Sequence, residues 1–437
     1  MSDGGAGLQA LEVAIRAGMT ALGASLLGRL LGADTGHRGP RIACGAGHQA
    51  EFVGYRDKGL DTVLGPITLT RAYYHCAACK HGVVPRDDDL DVAGVSLSPG
   101  LRTITARIGA ALPFAQAAAL LAEIGGPTLG VKRIERAAEA SGAAAAEAIT
   151  TRAAAIRDRS QTCPAPDPLP DMLYIAVDGT GVPMTTKAVA GRPGKGPEGA
   201  ARTREVKLAA LFTQTRLDEH GRAVRDPHST SYLATLAPVG QFSPLLAAEA
   251  RRRGTEHIRQ SVVLGDGAVW IWNMANQILP AATQIVDLYH ARQHVHDLAD
   301  AVAFILIDAE QWRTQRLADL EDGDIEALLD AANALPLVGV KATERDKALH
   351  YFTTNAHRMN YAHYRALGMF VGSGVVEAAC KTVIGARLKL SGMHWSEPGA
   401  SAILTLRAQH ASGPWEQQVW TRPNNQTQTA DLAHSRS

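Results

Sequence analysis

Apolar positions recur every three or four residues from 8 to 31, through Leu8, Leu11, Ile15, Leu22, Leu26, Leu27 and Leu30. That spacing predicts one amphipathic helix or a pair, weakened by several glycines. A Gly/His/Arg-rich loop follows at residues 32 to 41, and then the pattern becomes strand-like. Asp61-Thr62-Val63-Leu64, a Gly65-Pro66 turn and Ile67 to Tyr74 predict a β-hairpin. From 97 the helical period returns: Ser98-Pro99-Gly100 opens a helix that Pro113 stops, Phe114 to Ile124 makes a second, and Thr128 to about Ile156 a third. Lys132, Arg133 and Arg136 lie near the start of that third helix, an order suggestive of a helix-turn-helix whose last helix enters a DNA major groove. Residues 160 to 171 are proline-rich and read as a linker.

The second half alternates strand and helix. Leu173 to Val177 is an apolar run that ends in Asp178 and is followed by Gly179-Thr180-Gly181; Gln260 to Gly265 repeats the pattern and delivers Asp266 into Gly267. Runs of this kind bounded by glycine predict buried strands, and an acid at such a strand end needs a cationic partner. Val206 to Thr213 predicts a further strand, turning near Glu219-His220-Gly221 toward Tyr232-Leu233, with helices at Ser243 to Arg253 and around Trp270 and Trp272 and a last strand at Gln284 to His290. Residues 291 to 370 are helical in pattern, and Gly372-Ser373-Gly374 then opens a helix bearing Glu377. Three strands, a helix, a strand, a helix, a strand and a helix carrying an acid is the order of an α/β, RNase H-like core with a helical insertion. The expected divisions are 1–36 (helical segment), 37–95 (zinc-ribbon-like β-hairpin), 96–159 (helical, DNA-binding), 160–171 (linker), 172–300 and 371–412 (the core and its C-terminal catalytic helix), 301–370 (insertion) and 413–437 (flexible tail).

Composition narrows the function. The 437 residues are 46% hydrophobic and 20% charged, as in a soluble globular protein, and the net charge of +1 requires any nucleic-acid contact to come from local basic patches. No apolar run reaches transmembrane length and the first residues lack a secretory pattern, so the expectation is a cytoplasmic, nucleoid-associated protein without a membrane partner. Five cysteines do not make a disulfide scaffold. Cys76-x-x-Cys79, the second pair, matches a zinc knuckle, and Cys44-x-x-x-His48 across the hairpin is the looser first pair, for which His37 or His81 are alternatives.

Asp178, Asp266 and Glu377 brought together suit Mg²⁺ or Mn²⁺, since hard cations take carboxylate oxygens and two such ions drive in-line phosphoryl displacement. Glu377 falls in the first turn of its helix if Ser373 caps it. Lys381, Arg387 and Lys389 on that helix, and Arg202, Arg204 and Lys207 in the basic stretch after Asp178 (with Lys187, Arg192 and Lys195), are candidate DNA contacts, and Trp395 after Gly392 is expected to be an exposed aromatic that stacks on an unpaired base. A haloacid-dehalogenase-type phosphatase is the rival enzyme, but it needs a nucleophilic acid two residues before the second one, and position 176 is Ala. His290-x-x-x-His294 lacks the glutamate of a zinc protease, having Ala291 instead.

The blocks Val177-Asp178-Gly179-Thr180-Gly181-Val182-Pro183, Thr203-Arg204-Glu205-Val206-Lys207, Leu264-Gly265-Asp266-Gly267-Ala268 with Trp270-Ile271-Trp272, and Gly372-Ser373-Gly374 with Val376, Glu377 and Lys381 resemble those of a bacterial insertion-sequence transposase of the DDE class, the Kra-type family. Thr62-x-Leu64-Gly65-Pro66, Arg71, Tyr73, Tyr74, Cys76, Cys79 and Pro85 extend the resemblance over about residues 44 to 410. It implies Asp178, Asp266 and Glu377 as a catalytic triad, with metal-dependent cleavage of double-stranded DNA at terminal inverted repeats, transfer to target DNA, and at least a dimer in the active complex. Asp287-x-x-His290 also resembles the Asp/Cys-x-x-His element of Mutator-like transposases, near the active site. The first knuckle departs from the family's Cys-x-Cys-Gly. The alternative is a catalytically silent DNA-binding regulator derived from a transposase.

Overall fold

The computed structural model describes residues 4–194 and 199–413. Lys195 of the basic loop and all but the first residue of the expected tail lie outside the described residues. The chain divides into two compact units, Met1–Gly142 and Ala143–Ser437, and the division falls inside a helix, Val131–Arg157. Residues 160–171 carry neither helix nor strand.

In the first unit a four-stranded antiparallel sheet runs in the order β1 (Arg41–Ala43), β2 (Gln49–Thr62), β3 (Gly65–Cys76), β4 (His81–Val83). The β2–β3 hairpin turns at Thr62, whose hydroxyl donates to Gly65 O at 2.8 Å and accepts from Leu64 N at 3.1 Å. Alternate residues of β3 point inward, and Leu60, Ile67 and Leu69 meet Ala24, Leu27 and Leu31 of the N-terminal Gly4–Gly32 helix. Asp87 is buried between Arg71 (2.6 Å) and Lys58 (3.1 Å), the paired state that lets a charge stay out of water. Ser98 caps the Pro99–Ala111 helix through Leu101 N at 3.3 Å. That helix, Phe114–Glu123 and the start of Val131–Arg157 close around Leu101, Leu121 and Ile134.

The N-terminal helix is one continuous element of 29 residues. By length and composition alone Gly7–Gly32 suffices to cross a membrane. The absence of an uninterrupted apolar run stands beside this, because Glu12, Arg16 and Arg29 interrupt the stretch without removing its apolar average.

The second unit is built on a five-stranded sheet, in order β11-β10-β5-β6-β9. Its strands are β5 (Met172–Pro183), β6 (Thr203–Gln214), β9 (Ser231–Thr235), β10 (Gln260–Gly265) and β11 (Thr283–Val286); β7 (Arg216–Leu217) and β8 (Ala223–Val224) form a separate small hairpin. β10 is parallel to β5 and to β11, whereas β6 runs against both β5 and β9. Val239–Arg252 connects β9 to β10 and Val269–Ile278 connects β10 to β11. β5 is buried from Met172 to Val177, as a central strand covered on both faces must be. It does not end at Asp178: pairing with β6 continues to Pro183 opposite Thr203, so Asp178 lies within the strand.

Beyond β11 the chain is helical through Leu288–Val302, Ala309–Asp322, Ile325–Asn333, Gly339–Asn355 and Tyr361–Ala366. It returns to the sheet at Phe370, where Tyr174 stacks on Phe212 (5.0 Å, 6°) and meets Phe370 edge-on (5.2 Å, 85°). The Tyr174 hydroxyl donates to Gln214 Oε1 at 2.7 Å and accepts from Phe370 N at 3.2 Å. Gln214 Nε2 donates to Gly368 O at 2.9 Å. Tyr174→Phe leaves the Phe370 N–H and the Gln214 oxygen without this partner in a dry site, and is expected to lower the unfolding free energy by about 1–3 kcal/mol in urea denaturation; an unchanged midpoint would show that the hydroxyl does not fasten this return.

Candidate functional site

Two groups of side chains stand out, one in each unit. In the first, β3 ends at Cys76 and a tight turn carries Cys79 back toward it, with Cys79 N donating to Cys76 Sγ at 3.4 Å and Lys80 N to Cys76 O at 2.8 Å. The β1–β2 loop makes the opposing turn, closed by Cys44 N to His48 O at 2.9 Å. Cys44, His48, Cys76 and Cys79 place one donor atom each within 4.8 Å of all the others. Cys44 Sγ lies 3.6 Å and His48 Nδ1 3.1 Å from Cys79 Sγ. Ligands about 2.3 Å from a tetrahedral zinc stand about 3.7 Å apart, so the donors and their spacing fit one zinc. The looser first pair is thus assembled as written. His37 instead packs against Phe52 at 4.7 Å, and His81 lies in β4.

Backbone N–H groups, that of Ala46 foremost, bring the Cys44 thiol down to about 6, while its bond with Cys76 holds the Cys79 proton more tightly. One thiolate forms readily and discourages the next, a conflict that a divalent cation relieves with proton release. The purified protein is expected to carry about one zinc per chain by elemental analysis. Cys76→Ser should lose it and melt at lower temperature; a metal-free wild type with the same melting temperature after chelator treatment would exclude the site.

The second group lies on the Asp178 face of the five-stranded sheet. The register that pairs Leu264 with Ala176 carries on to set Asp266 beside Asp178, one at the end of β10 and the other within β5. Asp178 Oδ1 accepts from Gly179 N at 2.6 Å, and Asp266 Oδ1 accepts from Ala268 N at 2.9 Å. Burial pushes the Asp178 carboxyl up and the Asp266 charge adds to this, opposed by a 3.2 Å hydrogen bond from Cys380 Sγ, by Gly179 N–H and by His290. Burial likewise raises the Cys380 thiol, with Asp178 contributing, so it remains a donor.

Cys380 lies one turn beyond Glu377, where the Gly374–Ala379 helix passes into a six-residue π-helical segment, Cys380–Gly385. The helix packs against β5 and β6. Glu377 itself is exposed and paired with Lys381 at 2.7 Å. Among the described residues the Cys/His donors gather within 4.8 Å and the three carboxylates do not. Ser373 precedes the helix without capping it; its hydroxyl and its N–H both donate to Asp287 Oδ2. Asp287 is buried, and its other oxygen accepts from His290 N at 2.9 Å to cap Leu288–Val302. Asp287 N donates to Gly265 O at 2.8 Å. It therefore holds the loop before Glu377 against the strand before Asp266. His290 is exposed on that helix, 5.1 Å from His294, which is half-buried and stacked on Tyr351 at 3.7 Å.

The candidate DNA contacts divide. Arg202, Lys381 and Lys389 are exposed, and Lys389 Nζ donates to Thr180 Oγ1 at 2.5 Å. Arg204 is tied to Glu397 and to Leu236 O. Lys207 is buried, paired with Glu205 at 2.8 Å and over Trp270 at 5.5 Å; alternation along β6 puts it on the face opposite Asp178. Arg387 is fully buried, 4.9 Å from the Trp395 ring, and burial lowers it to about 10. Trp395 is also buried, its indole N–H donating to Leu388 O at 3.1 Å. The expected exposed stacking aromatic is thus a core residue, because Gly392 turns the chain back onto the unit rather than releasing it. Arg133, from the expected recognition helix, bonds Asp61 at 2.5 Å, whereas Arg136 is exposed.

Sequence reasoning passed over three residues here. Cys380 had only its place one turn after Glu377 to signal it. Tyr351 donates to Asp266 O at 3.1 Å and comes so close to Gly267 that a Cβ there would lie 2.6 Å from its ring; nothing local in the sequence points to it. Glu205 reaches over Gly179, where a Cβ would meet its carboxylate at 2.6 Å, which gives the glycine after Asp178 a physical reason.

No family model matches this chain, and no curated protein matches it in sequence. A solved structure similar to it is a Drosophila P element transposase strand transfer complex, at 10% identity and a TM-score of 0.25, over 75% of this chain and 81% of that one; so low a score carries no argument.

Proposed function

We propose that the chain is a DDE-class DNA transposase that cuts at the ends of an insertion sequence and joins them to target DNA, with Asp178, Asp266 and Glu377 as its metal-binding carboxylates. The observation that carries this reading is that the parallel β5–β10 register, paired as far as Ala176 and Leu264, leads each strand into an aspartate two residues on, with the Asp266 charge felt at Asp178, in a sheet of order β11-β10-β5-β6-β9 where β6 alone runs opposite. That order supports an RNase H-like core, with the helical stretch 301–370 as the insertion separating the second acid from the third.

The donor set fits Mg²⁺ or Mn²⁺: oxygens only, on two acids close enough that the Asp266 charge helps hold the proton on Asp178. Such ions activate a water or 3′-hydroxyl and stabilise the leaving oxygen. Glu377 completes the set by leaving Lys381, an exposed ion pair of the kind that water and salt screen, so its present partner is a small obstacle. Lys381, Lys389 and Arg202 then face phosphate, Asp287 positions the Glu377 loop, and His290 stands beside Asp178. The Cys/His cluster is read as a structural zinc site and the helices before residue 142 as DNA-binding. The second reading, a silent DNA-binding regulator, draws on the Glu377–Lys381 pairing.

The deciding assay is nicking and joining of DNA bearing the element's ends, with Mg²⁺ or Mn²⁺. Wild type is expected to cut, and Asp266→Asn to bind equally while cutting at least about 100-fold more slowly. Equal cutting by both would remove Asp266 from the machinery; binding without cutting by both would favour the regulator.

A stability measurement tests Asp178 separately. Its carboxyl is raised by burial from the ordinary 3.8, so the native state holds its proton longer than the unfolded chain does. Stability therefore falls as pH rises from about 3.8 through the raised native value. Asp178→Asn is expected to melt higher than wild type above that window and equally below it, without metal. A variant that melts lower at neutral pH would show that the charge is already compensated.

A further inference from the structure

The Gly4–Gly32 helix has two apolar faces. One enters the core through Ala24, Leu27 and Leu31. The other consists of Leu8, Leu11, Ile15, Met19, Leu22, Leu26 and Leu30, which are 56–65% exposed. Their steps are three, four, four, then three, four, four again, which is two 11-residue repeats. Such a repeat averages about 3.67 residues per turn, close to the 3.6 of a straight helix, so the stripe stays on one side throughout.

We propose that this stripe is the interface for a second copy of the chain, with the two helices antiparallel about a twofold axis between Thr20 and Ala21. From Leu11 to Leu30 the spacing reads the same from either end about that point, with Leu8 lying beyond the last matched pair. Met19 of one copy falls level with Leu22 of the other, Ile15 with Leu26, and Leu11 with Leu30. Glu12 and Arg29, which edge the stripe, also fall level, so each end of the antiparallel pair carries both signs. A parallel pair would set Glu12 level with Glu12 and Arg29 level with Arg29. The seven side chains offer on the order of 100 Å² each, about 700 Å² per copy, near the ~800 Å² per partner of a stable interface. A lipid-spanning helix would be apolar on all sides, and this one has its opposite face committed to β3. The pairing holds whether or not the second unit is a transposase.

The test is the molar mass of the full-length protein by sedimentation equilibrium across the micromolar range. Wild type is expected to be a dimer. Leu22→Glu, a change at an exposed central position, should weaken association at least tenfold while zinc content and circular dichroism stay as in wild type. Glu12→Arg should weaken it too, and adding Arg29→Glu should restore it, which a parallel pair would not do. A monomeric wild type, or a dimer indifferent to Leu22→Glu, overturns the proposal. So does a monomer that binds phosphatidylcholine vesicles through Leu22, which would assign the stripe to lipid.

Discussion

A single buried carboxylate, Asp287, fastens the parts on which the second unit's site depends. Its backbone N–H is held by Gly265 at the end of β10, one oxygen starts the Leu288–Val302 helix, and the other takes both donors of Ser373. A buried anion is tolerable only when several donors replace its water, and here they come from segments 86 residues apart. The helical stretch between these segments can therefore be long without loosening what lies on either side of it. Tyr174 fastens the same returning segment with a neutral group, its hydroxyl capturing Phe370 N.

The strands were legible in the sequence because burial on both faces demands unbroken apolar runs, as from Met172 to Val177 and from Val262 to Leu264. The two aspartates could be singled out because Asp178 follows such a run directly and Asp266 follows one across Gly265. The second zinc-type knuckle could be read from its spacing, while the first needed the β2–β3 hairpin to choose His48 over His37 and His81. What the sequence withheld were contacts made across long chain separations. Cys380 finding Asp178, Tyr351 finding Asp266 O and Arg387 lying under Trp395 depend on how helices are set against the sheet, which no local period reveals. The basic residues show the same limit. Arg202, Arg204 and Lys207 look alike in a stretch of six, yet one is exposed, one is ion-paired to Glu397 and one is buried with Glu205.

The N-terminal helix shows how a pattern can be read correctly in kind and incompletely in meaning. Its apolar spacing announces a helix, but two opposed apolar faces blur the usual contrast between an inner and an outer side. Only the packing of Leu27 and Leu31 against Ile67 and Leu69 tells which face is already used.

The π-helical turn from Cys380 to Gly385 acts as an inserted residue that the fold has absorbed. Each residue added to a regular α-helix would advance all that follows by about 100°, whereas the wide turn takes up the extra residue locally and leaves Arg387 against Trp395 and Lys389 against Thr180. Among homologous chains the loss of one residue within this segment should therefore be borne more easily than the same loss in the regular helix on either side.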